Sequence, residues 1–171
     1  MRKKSAVFIF LIIASAITGI VLSTVLIFEY YGISNAAADA VCSKWGKGIN
    51  NCTIVSASRY AAIRGIPFIK EIPVAAAGFV FYSFILAVLI TGVLQRKSLD
   101  VKSALLFISI IAGTGFAGDI VLYLISIFII KVICPLCVMT YISTFIIFVT
   151  SILLYRHENT LKEDTANGNV L

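Results

Sequence analysis

Hydrophobic residues are gathered into four long runs, and charged residues stand almost entirely between these runs or beyond them. About 20 residues of α-helix cross the hydrocarbon core of a bilayer, and each run is long enough to do so. The runs do not alternate polar and apolar positions, as the strands of a membrane β-barrel would. Helices also satisfy their own backbone groups in lipid. The pattern therefore predicts four membrane-spanning helices, at residues 6–28, 74–94, 103–130 and 132–155.

The composition agrees with a membrane protein. Of the 171 residues, 60% are hydrophobic and 13% charged, and the mean hydropathy is +1.05. A soluble domain of this size cannot bury that much apolar surface, which excludes a soluble globular enzyme, a disordered tail and a nucleic-acid-binding module. We expect an all-α integral membrane protein, with one four-helix bundle over residues 1–155 and a polar cytoplasmic tail over residues 156–171.

Basic residues predict the orientation in the membrane. Eight Lys and Arg residues would lie on the side of the N-terminus, in three clusters close to helix ends, and six on the opposite side. The positive-inside rule then places both termini of a multi-pass inner-membrane protein in the cytoplasm. The first run is too long for the core of a signal peptide, so we expect it to be an uncleaved span. The long loop over residues 29–73 is then extracytoplasmic, and we expect short helices in it at residues 34–45 and 53–64.

All four cysteines fall on the extracytoplasmic side of this topology. Cys42 and Cys52 lie in the long loop, and Cys134 and Cys137 lie where the third span turns into the fourth. Disulfides persist outside the cytosol but rarely inside it. A Cys-x-x-Cys pair at the start of a helix meets free N–H groups and the positive end of the helix dipole. Both features stabilise a thiolate on Cys134, and the thiolate is the attacking species in disulfide exchange.

Structural interpretations of the cysteines stay open at this point. The Cys-x-x-Cys pair also fits a structural disulfide, or an all-cysteine zinc site shared with the loop pair. The spacing of Cys42 and Cys52 alone is typical of a structural disulfide, and claudin-like tetraspan proteins have a comparable pair. A claudin-like structural protein without turnover is therefore an alternative. The pair Cys134 and Cys137 opposes it, as does the lack of Gly-Leu-Trp before Cys42.

The chain resembles the vitamin K epoxide reductase family, with its bacterial and archaeal homologues, over roughly residues 6–155. The likeness rests on the four cysteines and on short motifs around them. These motifs are Ser56-Ala57-Ser58-Arg59-Tyr60, Gly65-Ile66-Pro67, Gly78 with Phe81-Tyr82, and Cys134-Pro135-Leu136-Cys137 followed by Thr140-Tyr141.

The resemblance implies a four-helix bundle around a quinone, capped by the long loop. In that family the first loop cysteine, here Cys42, exchanges with a reductant protein. The second, here Cys52, relays electrons to Cys134, and Cys137 faces a quinone of the ubiquinone, menaquinone or vitamin K type. The implied function is a quinone-dependent thiol oxidoreductase. It would reoxidise a separate thioredoxin-fold, DsbA-like partner and so drive disulfide formation in exported proteins, the alternative output being vitamin K epoxide or quinone reduction.

Four further residues are candidate site residues or differ from the family pattern. Tyr141 lies one helical turn beyond Cys137, and the resemblance makes Tyr141 and Ser58 candidate quinone ligands. Their alternatives are a hydrogen bond to a neighbouring helix for Tyr141 and a local helix bond for Ser58. Human-type members carry an Asn where this chain has Val74, which disfavours epoxide reduction. Asp119 is the only carboxylate inside a predicted span. We expect it near the outer surface, in an interfacial or hydrogen-bonded structural role.

Overall fold

The computed structural model describes residues 3–33, 40–42, 52–66, 69–94 and 101–166. Four of its helices are long and apolar enough to cross a membrane, which confirms the predicted all-α membrane class with four long apolar helices. In chain order the elements are α1 (Lys3–Tyr30), α2 (Cys52–Ser56), a 3₁₀ turn (Arg59–Ala61), β1 (Ala62–Ile66), β2 (Ile69–Pro73), α3 (Val74–Leu94), α4 (Val101–Ile125), a π turn (Ser126–Ile130) and α5 (Pro135–Ala166).

The four long helices pack as a bundle in which α1 contacts both α3 and α5, and α4 packs mainly on α5. Small residues allow the helices to approach closely, as is usual in membrane bundles. A Cβ at Gly19 in α1 would lie 2.6 Å from the ring of Tyr82 in α3, so glycine is required at this crossing. The buried core of the bundle contains Ile12, Ala16, Tyr82, Ile85, Leu89, Ile108, Ala112 and Ile147.

The segment before α3 is a β-hairpin, which differs from the prediction. The helix expected over residues 53–64 ends at Ser56, and β1 pairs with β2 in antiparallel register. The register sets Ile63 opposite Ile72, an apolar cross-strand pair, and places the backbone of Arg64 opposite that of Glu71. The prediction was wrong because local apolar spacing cannot reveal pairing with a later segment. Of the helix expected over residues 34–45, residues 40–42 are helical and the others lie outside the described residues.

The turn between α4 and α5 sets the position of the Cys-x-x-Cys motif. Lys131 adopts a left-handed backbone conformation, with φ of 58°, and the chain is then non-helical until Pro135 begins α5. The predicted start at residue 132 was too early because this reversal needs the residues before Pro135. Proline suits the first helical position, where its missing N–H is not needed. At the other end α5 continues to Ala166, beyond the predicted span and into the predicted polar tail.

The hairpin is tied to the bundle at the end that carries the cysteines. The Tyr30 hydroxyl, at the end of α1, donates a hydrogen bond of 2.8 Å to a carboxylate oxygen of Glu71 in β2. Ala62 and Pro73, which face each other in the hairpin register, are both buried. The hairpin and α2, which together form the capping segment, therefore cover one end of the bundle. At this end α1 and α4 finish, and α3 and α5 begin.

Candidate active site

The fold brings the two cysteine pairs into contact. Cys42 and Cys52 form a disulfide, and Cys134 and Cys137 are free thiols. The Sγ atom of Cys134 lies 3.9 Å from the Sγ atom of Cys52, which is close to van der Waals contact. Each of these two residues is 2% exposed, within an apolar cluster that includes Leu136. Thiol–disulfide exchange between the pairs therefore requires an approach of only about 2 Å, because a disulfide bond is about 2.0 Å long.

The start of α5 provides hydrogen bonds to the Cys134 sulfur. Cys134 directly precedes the helix, and its carbonyl oxygen accepts the N–H of Val138 at 3.1 Å. The backbone N–H of Cys137 donates to the Cys134 sulfur at 3.3 Å. The pKa of the Cys134 thiol is lowered, chiefly because the Cys137 thiol hydrogen-bonds to its sulfur. Burial raises the pKa of this thiol, but the hydrogen bond from Cys137 has the larger effect. The backbone N–H groups of Cys137 and Leu136 also lower the pKa.

Cys137 lines a cavity of about 340 Å³ between the four long helices and the capping segment. Most of the cavity surface is apolar. Apolar side chains from every surrounding element contribute, including Leu26, Val55, Val74, Phe81, Leu122 and Val138. A volume above about 300 Å³, apolar walls and a set of convergent polar groups are typical of small-molecule sites. The cavity therefore has the size and chemistry for an apolar ring with polar substituents.

Both predicted quinone ligands lie on this cavity. Within the part of the chain that the structure describes, the Oγ atom of Ser58 is buried without a hydrogen-bond partner. The Tyr141 hydroxyl likewise has no hydrogen bond among the described residues, and its ring meets Tyr123 edge-on at 6.3 Å. Neither the local helix bond considered for Ser58 nor the interhelical bond considered for Tyr141 is therefore formed with any described residue.

Tyr82 and Thr144 are polar residues of the cavity wall that were not singled out from the sequence as site residues. The Tyr82 hydroxyl lies 2.8 Å from the carbonyl oxygen of Thr140 and 2.7 Å from Oγ1 of Thr144. A buried phenol usually finds such a partner, and this preference was the available signal for Tyr82. Nothing in the sequence marked Thr144, because its position depends on how α5 is rotated against α3.

Asp119 also lines this cavity. Thr144, whose hydroxyl donates to the carbonyl oxygen of Thr140, lies near enough to interact with its carboxyl group. The Oδ2 atom, however, is buried without a partner among the described residues. The side chain thus lines the cavity inside the bundle, and the interfacial or hydrogen-bonded structural role expected from the sequence stays a prediction.

The all-cysteine zinc site is not formed in this arrangement. Cys42 and Cys52 are bonded to each other, and zinc binds thiolates rather than disulfide sulfurs. Across residues 3–33, 40–42, 52–66, 69–94 and 101–166, no group of three or more His, Cys, Asp or Glu side chains is placed to hold a metal ion.

The hydrogen bond from Cys137 leads to a prediction about pH. In protein with the loop pair replaced by alanine, the first thiolate should appear at a lower pH than for an ordinary thiol. Since the thiolate is the nucleophile, exchange at Cys134 should also begin at lower pH. Cys137→Ala removes the donor, so the ionisation of Cys134 should move to higher pH. Thiolate absorbance against pH in quinone-free protein measures both, and an unchanged midpoint would contradict the assignment.

Comparison with known proteins adds to this geometry. A search of curated proteins finds no match for the chain. A family model described as the vitamin K epoxide reductase family matches residues 10–152. The matched range contains all four cysteines and every cavity residue named above. With most of its length matched and its two cysteine pairs in contact at one end of a four-helix membrane bundle, this chain belongs to the vitamin K epoxide reductase family and is a membrane oxidoreductase of that type.

Proposed function

We propose that this protein is a quinone-dependent thiol oxidoreductase that reoxidises a thioredoxin-fold partner. The observation that carries this proposal is the distance of 3.9 Å between the sulfur atoms of Cys52 and Cys134. This contact joins a disulfide in the capping segment to a Cys-x-x-Cys pair that lines an apolar cavity. Electrons from a water-soluble dithiol thus have a short covalent route to a lipid-soluble acceptor.

The first step is exchange between the partner and the loop disulfide. Cys42 is only partly buried, whereas Cys52 is almost fully buried, so a partner thiolate reaches the Cys42 sulfur. A mixed disulfide forms at Cys42, and Cys52 leaves as a thiolate. The second thiol of the partner then displaces Cys42, so the partner leaves oxidised and the loop pair holds its two electrons.

The second step passes these electrons to α5. The Cys52 thiolate attacks Cys134 of an oxidised Cys134–Cys137 pair, and Cys137 leaves with one electron pair. Cys42 then attacks Cys52, which restores the loop disulfide and releases Cys134. A lowered pKa makes Cys134 a good leaving group as well as a good nucleophile. The observed combination of a loop disulfide and two free thiols corresponds to the product of this step.

The third step takes place at the cavity. When bound there, a quinone accepts two electrons and two protons from the dithiol side, while Cys134 and Cys137 regain their disulfide. We assign the hydroxyls of Tyr141 and Ser58 as hydrogen-bond donors to the quinone oxygens, because both line the cavity without another partner among the described residues. The acceptor belongs to the ubiquinone, menaquinone or vitamin K type. Val74 lines the cavity, but its side chain cannot donate a hydrogen bond to a vitamin K oxygen. Vitamin K epoxide reduction is therefore the second candidate function.

The proposed location follows from charge and topology. The cysteine end of the bundle would face the extracytoplasmic side of the inner membrane, where disulfides persist. Both termini would then be cytoplasmic, near the basic clusters Arg2-Lys3-Lys4 and Arg96-Lys97. The partner would be a separate, DsbA-like protein, and its oxidised form would introduce disulfides into exported proteins.

Turnover by purified protein tests the function. Protein in lipid nanodiscs, given a reduced thioredoxin-fold protein and a short-chain ubiquinone or menaquinone, should reduce about one quinone for each partner disulfide formed. Cys134→Ala should oxidise one equivalent of partner through its loop disulfide and then stop. Loss of quinone absorbance and partner thiol titration measure the two half-reactions. Absence of quinone reduction by the unaltered protein, or full turnover by Cys134→Ala, would contradict the proposal.

The Tyr141 assignment has its own test. Tyr141→Phe removes one hydrogen bond, worth about 1 kcal/mol net, so the KM for quinone should rise roughly fivefold. Oxidation of one equivalent of partner in the absence of quinone should keep its rate. Tyr31→Phe, an exposed tyrosine that does not line the cavity, is the matched control. An unchanged quinone KM for Tyr141→Phe would remove Tyr141 from the site.

A further inference from the structure

Asp119 is the one carboxylic acid among the described residues that line the cavity. It lies in the middle of a membrane-spanning helix, where ionisable residues are rare and are usually functional. Its Oδ2 atom is buried and lacks a hydrogen-bond partner among the described residues. A buried polar atom without a partner costs free energy. A ligand that hydrogen-bonds this oxygen within the cavity would remove that cost.

Hydroxyl groups from two other helices lie near the same carboxyl group. The Tyr82 hydroxyl of α3 lies 2.7 Å from Oγ1 of Thr144 in α5, and the Thr144 hydroxyl donates to the carbonyl oxygen of Thr140 at 3.1 Å. Thr144 lines the cavity with Asp119 and is near enough to interact with its carboxyl group. Among the described residues, the Oδ2 atom of Asp119 nevertheless has no hydrogen-bond partner.

Reduction of a quinone in this cavity requires protons as well as electrons. The dithiol supplies two electrons when the disulfide forms, and two protons must reach the quinone oxygens. The other titratable groups on the cavity wall are phenols and thiols: Tyr30 from α1, Tyr60 from the 3₁₀ turn, Tyr82 from α3, Tyr123 from α4, and Cys134, Cys137 and Tyr141 from α5 and the residue before it. A carboxylic acid is a stronger proton donor than a phenol or a thiol.

Resting on the function proposed above, we propose that Asp119 is the general acid that protonates a quinone oxygen while Cys134 and Cys137 are oxidised. The Asp119 O–H bond breaks, and an O–H bond forms at the quinone oxygen. The second proton of the quinol comes from the Cys137 thiol. The Asp119 carboxylate then regains the proton that the Cys134 thiol released. The dithiol therefore supplies two electrons and two protons in total, and the carboxyl group is unchanged after one turnover.

The test measures the quinone step alone. Protein whose cysteines have been reduced is mixed with a short-chain quinone, and quinone absorbance is followed in a single turnover. Asp119→Asn keeps the size of the side chain but carries no acidic proton, so quinone reduction should slow by about 100-fold. The rate at which oxidised protein accepts electrons from the thioredoxin-fold partner should stay unchanged, which also shows that the variant is folded.

Restoration of a proton donor distinguishes acid catalysis from a structural role. Formic acid should recover part of the rate of Asp119→Asn and leave the unaltered protein unaffected, whereas chloride at equal ionic strength should do neither. Asp119→Glu should retain more activity than Asp119→Asn. Thr114→Val is the control on the same helix, because the Thr114 hydroxyl is exposed and donates to the carbonyl oxygen of Ile111.

Each outcome decides between the proposals. An Asp119→Asn rate equal to that of the unaltered protein would overturn the role of Asp119 and leave quinone reduction standing. The role would also be overturned, in favour of a structural one, if Asp119→Asn and Asp119→Glu slowed quinone reduction equally and formic acid restored none of the rate. If the unaltered protein reduces no quinone, the proposed function and this inference both fail.

Discussion

The sulfur–sulfur contact between Cys52 and Cys134 is the interaction on which the site depends. It joins the start of α2 to the start of α5, which are far apart in the chain. The contact therefore depends on packing that brings these two segments together. α2 begins at Cys52 and packs on Leu22, Val25 and Leu26 of α1 through a shared apolar cluster. The Tyr30–Glu71 hydrogen bond ties the following hairpin to the same helix. The capping segment is therefore held against the start of α5, and the two cysteine pairs stay within reach of each other.

Cys134 and Cys137 have different surroundings. In the proposed function, this difference determines which of them exchanges with Cys52 and which reacts with the quinone. The backbone N–H of Cys137 donates to the Cys134 sulfur and the pKa of the Cys134 thiol is lowered, so this residue is suited to exchange with Cys52. Cys137 lines the apolar cavity beside Tyr141 and Asp119. In the proposed function, Cys134 at the start of α5 carries out disulfide exchange, and Cys137 carries out quinone reduction. The proposed role of Asp119 adds an acidic proton donor to the apolar cavity.

Features set by local sequence were predictable, and features set by helix packing were not. Span positions follow from runs of apolar residues, and the gathering of the four cysteines at one end follows from the order of the spans. The hairpin over Ala62–Ile66 and Ile69–Pro73 was missed because its pairing is not visible in local periodicity. The inward orientation of Asp119 and its approach to Thr144 depend on how α4 and α5 are rotated. A single sequence does not determine that rotation.

Trapping the exchange intermediate tests the central claim most directly. The double variant Cys42→Ala, Cys137→Ala retains Cys52 and Cys134, whose sulfurs lie 3.9 Å apart, while the matched variant Cys42→Ala, Cys134→Ala retains Cys52 and Cys137. After mild oxidation in nanodiscs, peptide mass spectrometry without reduction identifies the disulfides formed. The account predicts a Cys52–Cys134 disulfide in nearly all molecules of the first variant and far less cross-linking in the second. Free thiols at Cys52 and Cys134 after oxidation, or equal cross-linking in both variants, would contradict it.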